Sequence, residues 1–439
     1  MAQRPRRGKT ALVLASGGVA GVSYEVGALR ALDHVLTNRT VNDFDIYVGT
    51  SAGAVVAASI ASGIPPVMLA GLIAGTVPGF QRLSRTQLYR PNVGELLGRL
   101  TKTPGLLREA ALEYWKFRDR MPITEAIGLL APLLPSGLFS NEGLERYVES
   151  TLTVAGLSDD FRDIHKELHI VAADIETDKR VDFSRYTHPH VPVSRAVAAS
   201  TCIPLLFRPV EIDGHHYVDG GIKGHAAIDI AIQRGAKLVV IVNALVPLDM
   251  AAIRRHATSE GVRRTIYDLG IRAVANQVVR GLMHDSLSDH LRWLRERHPD
   301  VDFILIEPRP DDEKMFFHEV MSFSAQLIVL QHGYETVVQG LNRTWPYLQR
   351  ILPKHGIEIT RHVLARKPAD VPVAELEKRP RLLGRLGQTV LDRRSRSQGQ
   401  VPEIKTDRRR RAAAGGDADG GAATTRRRGA FRPRVISSE

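Results

Sequence analysis

Residues 44–63 read FDIYVGTSAGAVVAASIASG and hold the most informative pattern of the chain. The apolar run at 44–48 predicts a strand, and the alanine-rich run that follows Gly53 predicts a helix. Between them, Gly49 and Gly53 flank Ser51 two positions away on each side, which is the G-x-S-x-G spacing of a nucleophile elbow. Glycine permits so tight a turn because it has no side chain. The stretch predicts an α/β fold in which Ser51 stands exposed at the edge of the sheet.

A second glycine-rich turn lies upstream, within residues 10–32, TALVLASGGVAGVSYEVGALRAL. An apolar strand at 11–15 leads into a turn that holds Gly17, Gly18 and Gly21, and an amphipathic helix follows. Such turns offer several backbone N–H groups to an anion, which can be a phosphate or the oxyanion of acyl transfer. The spacing fits neither G-x-G-x-x-G nor the phosphate loop, which needs a lysine followed by Ser or Thr. An oxyanion hole is therefore the better interpretation.

A third pattern is an aspartate followed by two glycines. Residues 209–221, PVEIDGHHYVDGG, predict a hairpin that has an Asp-Gly turn in its middle and ends at Asp219, Gly220 and Gly221. An aspartate in such a position can be a simple turn residue. Beside an elbow serine and an oxyanion loop, Asp219 becomes the natural candidate for the general base that activates Ser51.

These three patterns, in this order, resemble the patatin-like phospholipase family over residues 11–244. Three further stretches look like segments of that family, namely 135–148, 168–184 and 196–210. The resemblance implies a dyad in which Ser51 is the nucleophile and Asp219 the base, with no histidine. It also implies an α/β fold with a mostly parallel central sheet flanked by helices, and it calls for no cofactor.

The chain departs from the family pattern at three positions. The family loop usually reads Gly-Gly-Gly-x-Arg/Lys-Gly, but this chain has Ser16 in the first position and Ala20 in the basic one. His225 stands where the family often has an asparagine. These departures motivate a second hypothesis, a catalytically reduced lipid-binding or scaffolding protein. The intact Ser51 and Asp219 argue against it.

We expect a serine hydrolase whose substrates are acyl esters of phospholipids or related lipids. An ester acylates Ser51, and a water activated by Asp219 then hydrolyses the acyl-enzyme. A carboxylate with a pKa near 3.9 is a weak base, so partial desolvation is expected to raise the basicity of Asp219. A lysophospholipase or a general carboxylesterase is an alternative that the sequence does not separate from this reading.

The pattern divides the chain into four parts. A basic segment at 1–9 precedes a catalytic domain at 10–245, which has a helical insertion at about 71–135. A mostly helical part at 246–365 completes the catalytic unit, and a basic tail at 366–439 follows. The first residues imitate a signal peptide, but cleavage there would remove the oxyanion loop. No apolar stretch reaches the roughly 20 residues that span a bilayer, so we expect a cytoplasmic protein whose peripheral contact is the inner membrane face.

Positive charge is concentrated in the tail. Residues 366–439 hold 19 Lys and Arg against 9 Asp and Glu, which gives +10 of the chain's net charge of +12. This composition predicts disorder. A solvated tail is one interpretation; attraction to anionic lipid is the other, because each Lys or Arg near such a surface contributes on the order of 1 kcal/mol. No binding motif supports a nucleic-acid partner, and no pattern indicates the oligomeric state.

Two further groups of residues have ordinary structural interpretations. The single cysteine, Cys202, excludes an internal disulfide, suits a reducing compartment, and is best interpreted as a small buried residue. His284, Asp285, Asp289 and His290 fall at helical spacing and could suggest a metal site. They are more simply polar positions of an amphipathic helix, so no metal is assigned.

Overall fold

The computed structural model describes residues 8–117, 134–256, 265–317 and 323–361. Its strands are β1 (Lys9–Leu14), β2 (Ile46–Thr50), β3 (Arg90–Pro91), β4 (Gly137–Ser140), β5 (Glu167–Asp174), β6 (Lys179–Ser184), β7 (Leu205–Phe207), β8 (Val210–Ile212), β9 (His215–Asp219), β10 (Ala236–Val242) and β11 (Asp302–Ile306). Its α-helices are α1 (Gly18–Val35), α2 (Ala52–Ala61), α3 (Pro66–Ala74), α4 (Arg85–Leu88), α5 (Val93–Phe117), α6 (Glu142–Val154), α7 (Val193–Ser200), α8 (Ile228–Gln233), α9 (Met250–His256), α10 (Ile271–Arg297), α11 (Glu313–Phe317), α12 (Gln326–Arg343) and α13 (Trp345–Ile351).

The main sheet is parallel along β11-β10-β1-β2-β5 and is extended by antiparallel strands. Successive residues of β1 point to opposite faces, as strand geometry requires. Leu12 and Leu14 join a core that includes residues of α1, α2 and α12. Ala11 and Val13 join a second core with α8 and α10. The predicted α/β fold, with a mostly parallel central sheet flanked by helices, is confirmed.

Two strands share one edge of β5. β6 pairs antiparallel with β5 along residues 169–174, so it occupies one edge of that strand. β2 pairs with β5 up to Val171, and β9 pairs with it from Ala172 onward, so both must lie on the other edge. The carboxyl end of β2 therefore meets the carboxyl end of β9. Ser51, just after β2, and Asp219, the last residue of β9, come together at this point.

The predicted elements differ from the observed ones in some bounds. The strand predicted at 44–48 runs from Ile46 to Thr50, because Gly49 and Thr50 still pair with β5 and the turn begins only at Ser51. The described residues of the part predicted as mostly helical, 246–365, form α9 to α13, and they also form the strand β11. The tail predicted at 366–439 lies outside the described residues, as do residues 1–7.

A small second sheet was not predicted. β4 pairs antiparallel with β3 and parallel with β7, and α5 begins directly after β3. The aromatic rings of Tyr89, Phe139 and Phe207 pack together on one side of it, with ring centroids 5.2 Å apart for Tyr89 and Phe139. Strands of two to four residues carry no hydrophobic period long enough to be recognised in the sequence.

Helices α1 and α12 cross with almost no space between their backbones. A Cβ atom built on Gly27 of α1 would lie 2.3 Å from the carbonyl oxygen of Leu330 and 2.8 Å from the backbone nitrogen of Tyr334. One built on Gly333 of α12 would lie 2.9 Å from the Tyr24 carbonyl oxygen. The crossing therefore requires glycine on both helices.

We predict that Gly27→Ala destabilises the protein. The new methyl group must push two backbones apart, and overpacking of this kind costs about 1–3 kcal/mol. Gly340→Ala on α12 is the matched control, since a Cβ there meets no atom within 4 Å and the helix propensity of alanine favours it by about 1 kcal/mol. Denaturant unfolding measures both; a Gly27→Ala protein as stable as the Gly340→Ala protein would contradict the close crossing.

Candidate active site

Ser51 lies in a turn whose backbone conformation is rare for a residue with a side chain. It precedes α2 with φ 56° and ψ −121°, a region that costs free energy and persists only when the surroundings enforce it. The flanking glycines allow the backbone around Ser51 to pack closely enough to enforce it. A Cβ built on Gly49 would lie 2.5 Å from the carbonyl oxygen of Gly53, and one built on Gly53 would lie 2.2 Å from that of Leu14. Ser51 thus lies in a tight turn between β2 and α2.

Ser200 holds this turn in place. Its hydroxyl accepts a hydrogen bond from the Ser51 backbone N–H at 2.9 Å and donates one to the carbonyl oxygen of Val171 at 2.6 Å. Ser200 is fully buried. Ser200 was not predicted from the sequence, where its signal is slight: a serine at the end of the short helix α7.

Ser51 is buried, with only 4% of its surface exposed, so the predicted exposure at the sheet edge is wrong. It is instead reached through a pocket of about 1090 Å³, counting the open mouth. Gly18 lines the same pocket. The remaining lining is mostly aliphatic, and much of it comes from α1, α2, α3 and α6, including Val22, Val26, Val55, Leu69, Leu72 and Val148. Ser51 therefore opens onto a pocket with mostly apolar walls.

The upstream glycine turn lies beside Ser51. Gly17 caps α1, and Gly18 begins it with φ 60°, a conformation that glycine adopts without strain. The first N–H groups of an α-helix have no partner within the helix, so this end of α1 offers donors. Gly21 differs, because its N–H donates to the Gly17 carbonyl oxygen at 2.8 Å. A Cβ on Gly21 would lie 3.4 Å from that of Ala52, so Gly21 serves the close packing of α1 on α2.

Asp219 is buried and fixed at both its backbone and its side chain. Its N–H donates to the Cys202 carbonyl oxygen at 2.8 Å, and its Oδ1 accepts the Gly221 N–H at 2.8 Å. Burial raises the pKa of Asp219 to about 6, while hydrogen bonds from the Ser51 side chain and the Gly221 N–H lower it by less. Gly220 packs against β5, where a Cβ would lie 2.3 Å from the Val171 carbonyl oxygen.

His225 is buried next to the glycine turn but is bonded away from Asp219. Its Nε2 lies 2.7 Å from Asn243 Oδ1. That oxygen also accepts the Leu245 N–H at 2.9 Å, which fixes the amide orientation and makes Nε2 the protonated nitrogen. Burial lowers the pKa of His225 to about 4, so the ring is neutral at pH 7. Its carbonyl oxygen accepts the Ser16 N–H at 3.4 Å, so the backbone of His225 supports the turn.

The other residues singled out in the sequence do not form a further site. His284 lies 3.3 Å from Glu307, whereas His290 lies 3.9 Å from Asp229, so the two histidines have separate partners. Within the part of the chain that the structure describes, no three His, Cys, Asp or Glu side chains are grouped to hold a metal ion. Cys202 is fully buried, as predicted, and burial raises the pKa of its thiol to about 12.

Comparison with known proteins identifies the family of this chain. The model of the family described as patatin-like phospholipase matches residues 12–232. The chain belongs to the patatin-like phospholipase family. A probable lipid hydrolase, 463L of Invertebrate iridescent virus 6, is 24% identical over 236 residues, and the uncharacterized protein YqhO of Bacillus subtilis is 27% identical over 227. These alignments take in 52% and 49% of this chain and span 65% and 64% of the two relatives, so each relative has about a third of its length unmatched.

Two solved structures are similar to this chain at low sequence identity. VipD from Legionella pneumophila is 15% identical, with 79% of this chain and 80% of that chain covered and a TM-score of 0.30. ExoU, solved with SpcU from the type III secretion system of Pseudomonas aeruginosa, is 14% identical, with 79% of this chain and 65% of that chain covered and a TM-score of 0.27.

Among the described residues, no helix is both long enough and apolar enough to cross a bilayer.

The raised pKa of Asp219 predicts a pH-dependent effect of Asp219→Asn on stability. In the folded protein the pKa of the Asp219 carboxyl is about 6, against 3.8 for an ordinary aspartate. The free energy of unfolding that this group contributes is therefore present below pH 3.8 and lost as the pH rises through 6. Asp219→Asn removes this pH dependence. The free energy of unfolding of the variant relative to the wild type should therefore be higher at pH 8 than at pH 4 by on the order of 3 kcal/mol. Denaturant unfolding at both pH values measures the difference; equal effects would show that Asp219 is not desolvated.

Proposed function

We propose that the protein is a serine lipid acyl hydrolase in which Ser51 is the nucleophile and Asp219 the general base. The observation that carries the proposal is the meeting of β2 and β9 on one edge of β5. It brings a strained, pocket-facing serine beside a buried carboxylate whose pKa is raised to about 6. Membership of the patatin-like phospholipase family supports the same assignment. The related 463L is named a probable lipid hydrolase, which agrees with it.

The chemistry begins with acyl transfer to Ser51. The Ser51 hydroxyl adds to the ester carbonyl carbon as its proton moves to the Asp219 carboxylate. The carbonyl oxygen becomes an oxyanion, which the N–H groups at Gly17 and Gly18 stabilise; losing one donor of this kind typically costs about 2.7–4 kcal/mol. The C–O bond to the alcohol then breaks, and the alcohol leaves with the proton held by Asp219. Asp219 returns to its charged form.

Hydrolysis of the acyl-enzyme repeats these steps with water. Asp219 accepts a proton from a water molecule as the water oxygen adds to the acyl carbonyl carbon. The bond to Ser51 breaks, Ser51 regains the proton, and the carboxylic acid is released. The same base and the same oxyanion donors therefore serve both half-reactions.

The pocket supports an acyl chain as the group that is transferred. Its aliphatic lining begins at Ser51 and continues along α2 past Val55 and Val56 to Ser59. Burying a methylene group is worth about 0.8 kcal/mol, so an apolar chain gains free energy with each carbon that the pocket receives. This favours a lipid ester over a small polar ester as the substrate.

Ser51→Ala is expected to abolish ester hydrolysis and to abolish labelling by a fluorophosphonate probe, because the probe reacts with an activated serine. Asp219→Asn is expected to lower kcat by a factor of about 10³ or more, since the base is lost. Ser59→Ala, a pocket serine two turns along α2, is the matched control and should stay active and labelled. Full hydrolysis by Ser51→Ala in a folded protein would refute the mechanism. Lipid binding without labelling of the wild type would indicate a lipid-binding protein instead.

His225→Asn is expected to keep most of the activity, within about tenfold of wild type, because the imidazole is bonded to Asn243 and takes no proton from the dyad. The substitution also restores the residue that the family often has there. The measurement is kcat/KM against a short-chain ester, with the folded state checked by thermal unfolding. A loss as large as that of Asp219→Asn would instead indicate a catalytic triad.

A further inference from the structure

Exposed apolar side chains cluster on the small second sheet and at the start of α5. Leu205 in β7 is 84% exposed and Leu138 in β4 is 60% exposed. On α5, Val93, Leu96 and Leu97 are about half exposed. Single exposed apolar residues are common on protein surfaces, but contiguous groups of them mark interaction sites. We call these five residues the docking face.

Backbone and side-chain contacts hold the docking face together. The Asn92 N–H, just before α5, donates to the Leu138 carbonyl oxygen at 3.1 Å. Glu95 in the first turn of α5 accepts the Ser136 N–H at 2.9 Å. Gly137, next to Leu138, pairs with Leu205 across the sheet. Residues 93, 96 and 97 have the spacing that places side chains on one side of a helix. The start of α5 and the paired strands β4 and β7, which carry the two exposed leucines, are therefore neighbours in the fold.

Leu205 is held in a conformation that leucine rarely adopts. Its φ is 68°, in the left-handed region where a bulky side chain is strained. Glycine or asparagine would relieve that strain, and a polar residue would suit solvent better. Phe207, two residues further along the same strand, is buried in the core and anchors the backbone next to Leu205. Strain of this kind clusters at functional sites.

The docking face is continuous with the pocket that contains Ser51. Phe207 of β7 lines that pocket, and so does Leu88, which precedes β3 by two residues. Arg82 also lines it and is exposed. The small sheet therefore joins the lining of the pocket to the apolar surface outside it.

Three arginines border this region without acidic partners. Arg82, Arg85 and Arg90 are all exposed, and within the described residues none of them pairs with a carboxylate. Arg82 donates instead to the side-chain oxygen of Gln326 at 3.1 Å. A surface that combines exposed apolar side chains with unpaired cations is complementary to an anionic lipid layer, in which headgroups are negative and chains are apolar.

We propose that the docking face seats the folded enzyme on an anionic membrane surface, with the leucines entering the headgroup region and the arginines contacting lipid phosphates. In this position the mouth of the pocket faces the layer that holds the acyl chains. The inference rests on the proposed function in that the pocket takes an acyl chain. Vesicle binding, however, is measured separately from hydrolysis.

The test compares two pairs of substitutions in the full chain that remove equally exposed apolar residues. Leu138→Ser with Leu205→Asn changes the docking face, and asparagine tolerates the φ of residue 205. Ile271→Ser with Leu282→Ser is the matched control on α10, where the two side chains are 85% and 69% exposed and lie outside the lining of the pocket.

Binding to vesicles of phosphatidylcholine with phosphatidylglycerol is measured by sedimentation at high salt, where the contribution of exposed charges, including those of the tail, is screened. The docking-face pair should lower the partition coefficient by about tenfold or more, and the control pair by less than about twofold. Both should hydrolyse a soluble short-chain ester at the wild-type rate. At low salt, Arg85→Gln with Arg90→Gln should weaken binding to these vesicles more than binding to pure phosphatidylcholine.

Three outcomes would overturn the inference. The first is unchanged vesicle binding by the docking-face pair. The second is an equal loss in the control pair, which would indicate general adhesion. The third is that the wild type is a dimer, that the docking-face substitutions dissociate it, and that vesicle binding persists. The docking face would then be the contact between two copies of the chain. If the docking-face pair lowers binding as expected but Ser51→Ala still hydrolyses esters, the proposed catalytic mechanism fails and the docking face stands.

Discussion

The candidate site depends on the edge of β5 at which β2 and β9 meet. Since β6 covers the opposite edge, both strands must end against Val171 and Ala172. Two backbones and a turn converge at this point, so a side chain on Gly220 would strike the Val171 carbonyl oxygen at 2.3 Å. The same oxygen accepts the hydroxyl of Ser200, which holds the elbow. A few atoms of β5 thus set the relative position of Ser51 and Asp219, although these residues are far apart in sequence.

The electrostatics of this site follow from burial more than from neighbouring charges. Desolvation is the main cause of the raised pKa of Asp219, and the effects opposing it come from hydrogen bonds and not from a cation. The family pattern has a basic residue where this chain has Ala20, and a positive charge near a carboxylate lowers its pKa. Ala20, in the first turn of α1, brings no such charge. The departure from the family pattern is compatible with catalysis and does not by itself indicate a reduced enzyme.

The features that the sequence predicted correctly are those with a local physical cause. The glycines at 49 and 53 are recognisable because a tight turn between strand and helix excludes side chains, and the hairpin before Asp219 is recognisable from its turn residues. The burial of Ser51 was missed because the pocket around it also takes residues from α3 and α6, which lie outside the strand-turn-helix stretch that holds Ser51. Ser200 was missed because it is far from Ser51 in the sequence and contacts the turn at Ser51 only through the folded structure.

Burial of the dyad has a consequence for the order of events in the proposed reaction. Ser51 and Asp219 are 4% and 6% exposed, so the deacylating water has to enter through the mouth of the pocket, which the departing alcohol also uses. Water can then reach Asp219 only after the alcohol has left, which favours transfer to water over reversal. The same burial raises the pKa of Asp219, because desolvation disfavours the charged carboxylate. In the proposed reaction, the restricted access of water and the strength of the base therefore share one physical origin.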